Sequence, residues 1–179
     1  MRLIVATVLA IVGVSSMAAA EDQVMTVRNI QTVKSWNDTF NRGDIEAAAA
    51  YFSEDTRNFG RQVGREGLRR VLEDIHQTFP DWKTEIVDTV AVADSVIIRC
   101  KVSATHLGVG KLPINGGLLV GVPPTGKRFE VQHIHWFKLR DGRIADHYAT
   151  RDDIGMMQQL GLLPSVPRPD TRPLEASKK

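Results

Sequence analysis

Two histidines one residue apart, His133 and His135, precede an Asp141-Gly142 pair, and beyond it come His147, Tyr148, Thr150, Asp152 and Asp153. Imidazole, phenol and carboxylate groups take and return protons, so acid–base chemistry is expected to reside in this stretch. Asp141-Gly142 lies between two alternating runs and is a turn pair that accepts positive φ at both central positions of a hairpin. If Arg140 pairs with Arg143, then Leu139 faces Ile144, Phe137 faces Asp146, His135 faces Tyr148, His133 faces Thr150 and Val131 faces Asp152. Alternate side chains share a face, so His133, His135, Phe137, Leu139, Ile144, Asp146, Tyr148, Thr150 and Asp152 are expected to project together. The opposite face, with Gln132, Ile134, Trp136, Lys138, Arg143, His147 and Arg151, is the wetter one. The first set is therefore assigned to the interior.

Several of these residues admit a plainer role. Asp152 or Asp153 precedes the last helix and can serve only as its N-cap. The His133-x-His135 pair has a spacing compatible with metal ligation together with Asp152, but no second carboxylate or cysteine motif lies nearby, so no metal is assigned. His106 either lines the pocket mouth or bonds to backbone. Trp136 and Ile134 on the outer face mark a subunit contact, or Trp136 packs under a long loop.

The elements that must position this set can be read from periodicity. Val27, Ile30, Val33, Trp36 and Phe40 recur every three or four residues and predict an amphipathic helix over 24–41, ended by Gly43. Asp44 fits an N-cap for a short helix through Ile45 and Ala49 toward Phe52. Leu68, Val71, Leu72 and Ile75 stripe a helix over 66–78, stopped at Phe79-Pro80-Asp81. The period then becomes two. Residues 83–92, 95–106, 128–140 and 143–150 are predicted strands, with Ala93-Asp94 joining the first pair. Leu107 to Gly126 holds six glycines and three prolines and is read as loop, with brief pairing at Leu118-Leu119-Val120. A closing helix over 154–160 ends at Gly161. Helices first and an antiparallel meander after them predict an α+β fold, a strongly curved sheet covered by the N-terminal helices into a cone.

Composition narrows the function classes. The chain of 179 residues carries 23 Lys+Arg against 21 Asp+Glu, and no basic run makes a footprint for nucleic acid. Residues 1–20 open on Met1-Arg2, continue through an apolar run and close on Ala18-Ala19-Ala20, which predicts a cleaved signal peptide, export to the periplasm or beyond, and no membrane span in the mature protein. Residues 21–163 then form one domain, and 164–179, with Pro164, Pro167, Pro169 and Pro173, a disordered tail. Cys100 is the only cysteine, so no intramolecular disulfide forms, and it is read as a small buried hydrophobe.

Five motifs in order carry a resemblance: Phe79-Pro80-Asp81-Trp82, Ala104-Thr105-His106-Leu107-Gly108, Pro123-Pro124-Thr125-Gly126, Asp141-Gly142-Arg143-Ile144, and His147-Tyr148 with Asp152 and Gln159-Leu160-Gly161. Together they resemble the SnoaL-like polyketide cyclase and ester cyclase family of the nuclear-transport-factor-two-like superfamily. The resemblance implies a cone of bent strands over helices, usually oligomerised through the sheet. It also implies ring closure by intramolecular aldol condensation without metal or coenzyme, using a carboxylate that falls here on Asp152. On this expectation Asp152 is the base, His133 or Tyr148 donates to the enolate oxygen, and His135 orients. Phe137, Trp36, Phe40, His106 and Thr150 complete the contacts to a small apolar molecule. The alternatives are an exported binding protein that holds an apolar ligand unchanged, and an interaction domain whose polar set is a satisfied core network.

Overall fold

The computed structural model describes residues 3–113 and 117–164, with side chains from Glu21 onward; the side chains of the expected leader and the tail beyond Pro164 lie outside the described residues. Ten elements follow: helix α1 (Leu3–Asn41), α2 (Ile45–Ala49), strands β1 (Phe52–Asn58) and β2 (Arg61–Gln62), α3 (Gly64–Thr78), β3 (Lys83–Val92), β4 (Ser95–Thr105), β5 (Arg128–Arg140), β6 (Arg143–Arg151) and α4 (Asp153–Gln159). Among the described residues no helix is long and apolar enough to cross a membrane.

One six-stranded sheet in the order β2-β1-β6-β5-β4-β3 forms the wall of the cone. The β3 to β6 meander is antiparallel as expected. The exception is β1, which pairs parallel with β6. Sequence reasoning missed β1, because Phe52, Ser53, Glu54, Asp55, Thr56, Arg57 and Asn58 do not alternate; their burial reflects packing on α3 and β6 instead. Register shifts between Ile86 and Asp88 in β3, and between Lys138 and Leu139 on the β5–β6 pair, mark bulges that bend the sheet.

The helices close the cone along the predicted stripes. Gly43 (φ 77°) ends the first turn region after α1, and the Asp44 carboxylate caps α2 by accepting from the Ala47 amide at 3.0 Å. Asn37 and Asn41 donate to the Thr84 carbonyl, and Asn41 accepts from the Thr84 amide at 2.8 Å, so the C-terminal half of α1 is fixed on the start of β3. That rotation sends Val33, Trp36 and Phe40 inward, where they meet Phe52 and Phe137. Each buried aliphatic or aromatic side chain in such a core stabilises the fold by about 1.5–3 kcal/mol. Cys100 is buried in the same core, where burial pushes its thiol up to about 11.

The loop after β4 folds back over the cone. Thr78 at the end of α3 accepts the amides of Leu107 and Gly108, and the buried Asp74 carboxylate accepts those of Lys111 and Leu112. A side chain at Gly108 would run into the Gln77 carbonyl, so only glycine allows this close approach. The expected brief pairing is present as a bridge between Gly110 and Val120.

Candidate active site

The hairpin begins as its sequence requires and then departs from it. Asp141 (φ 52°) and Gly142 (φ 72°) make the turn, Arg140 pairs with Arg143 and Leu139 with Ile144. Ala145 is then left over as a bulge. From there Lys138 pairs with Asp146, Phe137 with His147, Trp136 with Tyr148, His135 with Ala149, Ile134 with Thr150 and His133 with Arg151. A one-residue slip sends every later side chain of β6 to the other face of the sheet. His147 and Arg151, expected outside, face in; Tyr148, Thr150 and Asp152, expected inside, do not.

Their actual surroundings confirm the exchange. Tyr148 packs on Trp136 and Phe59, and its hydroxyl donates to Asp146 Oδ2 at 3.0 Å. Thr150 is exposed opposite Ile134. Asp152 is the N-cap of α4, its Oδ1 accepting from the Gly155 amide at 2.8 Å. His106 is wholly buried behind the pocket wall against Phe79, with Nδ1 accepting from the Thr125 amide at 3.3 Å. Of the two roles open to it, the bond to backbone is the one it fills. None of these four lines the cavity.

The cavity itself, about 120 Å³, opens between α1, α3 and the inner face of β5 and β6. Trp36, Phe40, His133 and His135 line it as expected, joined by Asn58, His147 and Arg151. Gly110, Leu112 and Leu119 from the loop complete the enclosure. Phe137 lies one layer beneath, stacked under His135 and His147 with ring centroids 6.0 and 5.0 Å away.

The three imidazoles form a chain. His147 Nδ1 is 3.1 Å from Asn58 Oδ1, His147 Nε2 is 2.8 Å from His135 Nδ1, and His135 Nε2 is 3.3 Å from His133 Nδ1. An amide oxygen only accepts, so His147 carries its proton on Nδ1, and each neutral ring passes the same tautomer to the next. The chain therefore ends in a lone pair on His133 Nε2, which has no hydrogen-bond partner among the described residues. Burial, with the Arg151 charge adding to it, holds His135 down to about 4. Burial, then the His135 and Arg151 charges, hold His133 down to about 3, and burial keeps His147 well below its ordinary range. All three are neutral near pH 7.

Among the residues that line the cavity, two donors are left over. Trp36 Nε1 is buried without an acceptor. Arg151 Nε stands 3.6 Å from Asp153 Oδ1, an ion pair too long for a hydrogen bond. Buried polar groups without partners are uncommon in folded proteins, and these two belong to residues that line the same cavity.

The family model described as SnoaL-like polyketide cyclase matches residues 30–160, from α1 through α4. The chain belongs to this SnoaL-like family. Aklanonic acid methyl ester cyclase DnrD of Streptomyces peucetius is 47% identical over 45 residues, which span 25% of this chain and 31% of DnrD. The chain thus matches only about a third of that relative's length. Among solved structures, TsrD of Streptomyces laurentii superposes with a TM-score of 0.64 at 27% identity, over 76% of this chain and 97% of TsrD. IdmH of Streptomyces antibioticus, described as a candidate polyketide cyclase, gives 0.60 at 29% identity, over 74% and 98%. In this SnoaL-like protein, the aspartate singled out by the resemblance caps a helix, and the acid–base groups that β5 and β6 bring to the cavity are imidazoles. His147, Arg151 and Asn58 were missed. An inward bulge would have revealed the first two, and Asn58 sits on the strand that carries no alternation.

Proposed function

We propose that the protein is an acid–base cyclase or isomerase of carbonyl compounds, working through the Asn58–His147–His135–His133 chain. The observation that carries this reading is the lone pair left at His133 Nε2, at the end of that chain, on a residue that lines the cavity. His133 takes the proton from a carbon beside a carbonyl, and the C–H electron pair moves onto the carbonyl oxygen as an enolate. Trp36 Nε1 donates to that oxygen, where a preorganised donor contributes about 3 kcal/mol. In a cyclisation the enolate carbon attacks a second carbonyl of the same molecule, and the resulting alkoxide takes the proton back from His133. A depressed imidazole holds a proton only beside a compensating negative charge, so it keeps the proton only while the enolate is present.

Support also comes from the matched relative, itself named an ester cyclase. The same reading includes export with cleavage after Ala20, supported by the leader pattern, and assembly through the outer face of the sheet, where Ile134 and Trp136 are 49% and 40% exposed.

The test is exchange of the methyl protons of an aryl methyl ketone into deuterium oxide, followed by NMR. Wild type is expected to accelerate exchange, and His133→Gln to lose about a hundredfold to ten-thousandfold of that acceleration. An Asp152→Asn protein that loses it instead, or a wild type that accelerates nothing, overturns the reading.

A further inference from the structure

Two side chains that carry formal charge near pH 7 line the cavity, Asp74 and Arg151. Asp74 is committed, because its oxygens accept the amides of Lys111 and Leu112. Arg151 is not. Its side chain is only 20% exposed, it makes no hydrogen bond among the described residues, and its one ionic neighbour, Asp153, lies 3.6 Å away. A guanidinium this buried ordinarily fills its planar fork of donors. Here Arg151 borders a chamber whose other polar groups, Asp74 apart, are neutral rings, an amide and two hydroxyls. The chamber is also small: its volume of about 120 Å³ is close to the roughly 150 Å³ of an apolar cavity that takes up benzene.

We infer that the substrate is an anion, a carbonyl compound bearing a carboxylate on a body about one ring in size, with the carboxylate seated on the Arg151 guanidinium. A planar carboxylate matches the guanidinium fork with two parallel charge-assisted bonds, which a neutral ester or amide cannot reproduce. Arg151 is the cross-strand partner of His133, so a carboxylate held there places the adjoining carbons beside the proposed base. Binding also prepares the chemistry. The Arg151 charge is one of the causes, after burial, that keep the three histidines unprotonated, and a carboxylate on Arg151 cancels it as the substrate arrives. This assignment rests on the proposed reading for the location of the base, but binding alone tests it.

The experiment compares benzoate with its neutral isostere benzamide by isothermal titration, on wild type, Arg151→Gln and Asp153→Asn. Wild type is expected to bind benzoate about tenfold or more tightly than benzamide. Arg151→Gln removes that preference. Asp153→Asn frees the guanidinium from the carboxylate 3.6 Å away and tightens benzoate binding. NMR titration of the wild-type histidine ring protons should show their pKa values rising when benzoate is bound. Equal binding of the two probes, or a preference that survives Arg151→Gln, overturns the anion site. If Arg151→Gln does not fold, Asp153→Asn decides, since unchanged or weaker benzoate binding also overturns it. A benzoate preference without ketone exchange would sink the proposed reaction and leave the anion site standing, and the converse separates them equally.

Discussion

Nδ1 of His135 and Nε2 of His147 lie 2.8 Å apart across β5 and β6, and this contact joins the two halves of the histidine chain. It exists because Ala145 bulges out and turns His147 inward. Asn58 sets the direction of the whole chain by accepting from His147 Nδ1. Asn58→Leu removes that acceptor and is expected to slow ketone exchange about tenfold to a hundredfold, as loss of an orienting partner commonly does. Asn58→Asp restores an acceptor and should recover most of the rate. A purely structural role for Asn58 predicts the same loss in both.

Stability should fall in mild acid. The histidines are held at about 3 (His133), about 4 (His135) and well below 6.5 (His147), whereas in the unfolded chain they protonate near 6.5. Below 6.5 the unfolded state therefore binds protons that the folded state refuses, and its population grows as pH drops. Their contribution is complete above pH 6.5 and is lost progressively toward 4 and 3, at about 1.4 kcal/mol for each unit of difference. Thermal midpoints measured from about pH 7 down to about pH 4.5 should decline, and His135→Gln should flatten the decline. A midpoint that is constant over this range contradicts a neutral buried chain.

Asp152 is expected to act on stability alone. Its carboxylate satisfies the Gly155 amide at the start of α4. Asp152→Ala should cost about 1 kcal/mol and Asp152→Asn only a few tenths, with ketone exchange unchanged in both. Chemical denaturation and the exchange assay on the same preparations check the two halves of this statement.

The outer face carries Trp136, 40% exposed and tilted against Tyr148, with Lys138 over its ring. In the proposed assembly this aromatic sits at the contact centre. Trp136→Ala should shift sedimentation toward monomer, because losing a central interface aromatic costs about 2 kcal/mol or more. Wild type that sediments as a monomer at micromolar concentration rules the assembly out.

Export predicts a processed chain. Intact-mass measurement of protein recovered outside the cytoplasm should give a mature N-terminus at Glu21, following the Ala18-Ala19-Ala20 site. Retention of Met1 in that fraction would count against cleavage.

Local signals in the sequence determined much of this protein. Helical periodicity placed Trp36 and Phe40 on the inward stripe of α1, Gly43 and Asp44 set the α1–α2 corner, and period-two alternation put His133 and His135 on the inner face of β5. Asp141-Gly142 fixed the first two pairs of the hairpin. All of these depend on residues a few positions apart, which is why they are legible. The face of β6 was decided elsewhere. The Thr56 hydroxyl donates to the carbonyls of Ile144 and Ala145, the Ile144 amide donates to Tyr51, and Asp146 accepts from Gly60, so the bulge is held by β1 and its flanks some ninety residues earlier. A strand has a side-chain period of two, so one extra residue exchanges its faces completely. Nothing within Ile144-Ala145-Asp146 announces that residue. Only the parallel packing of β1 on β6 determined that His147 and Arg151, rather than Tyr148 and Asp152, would face the cavity.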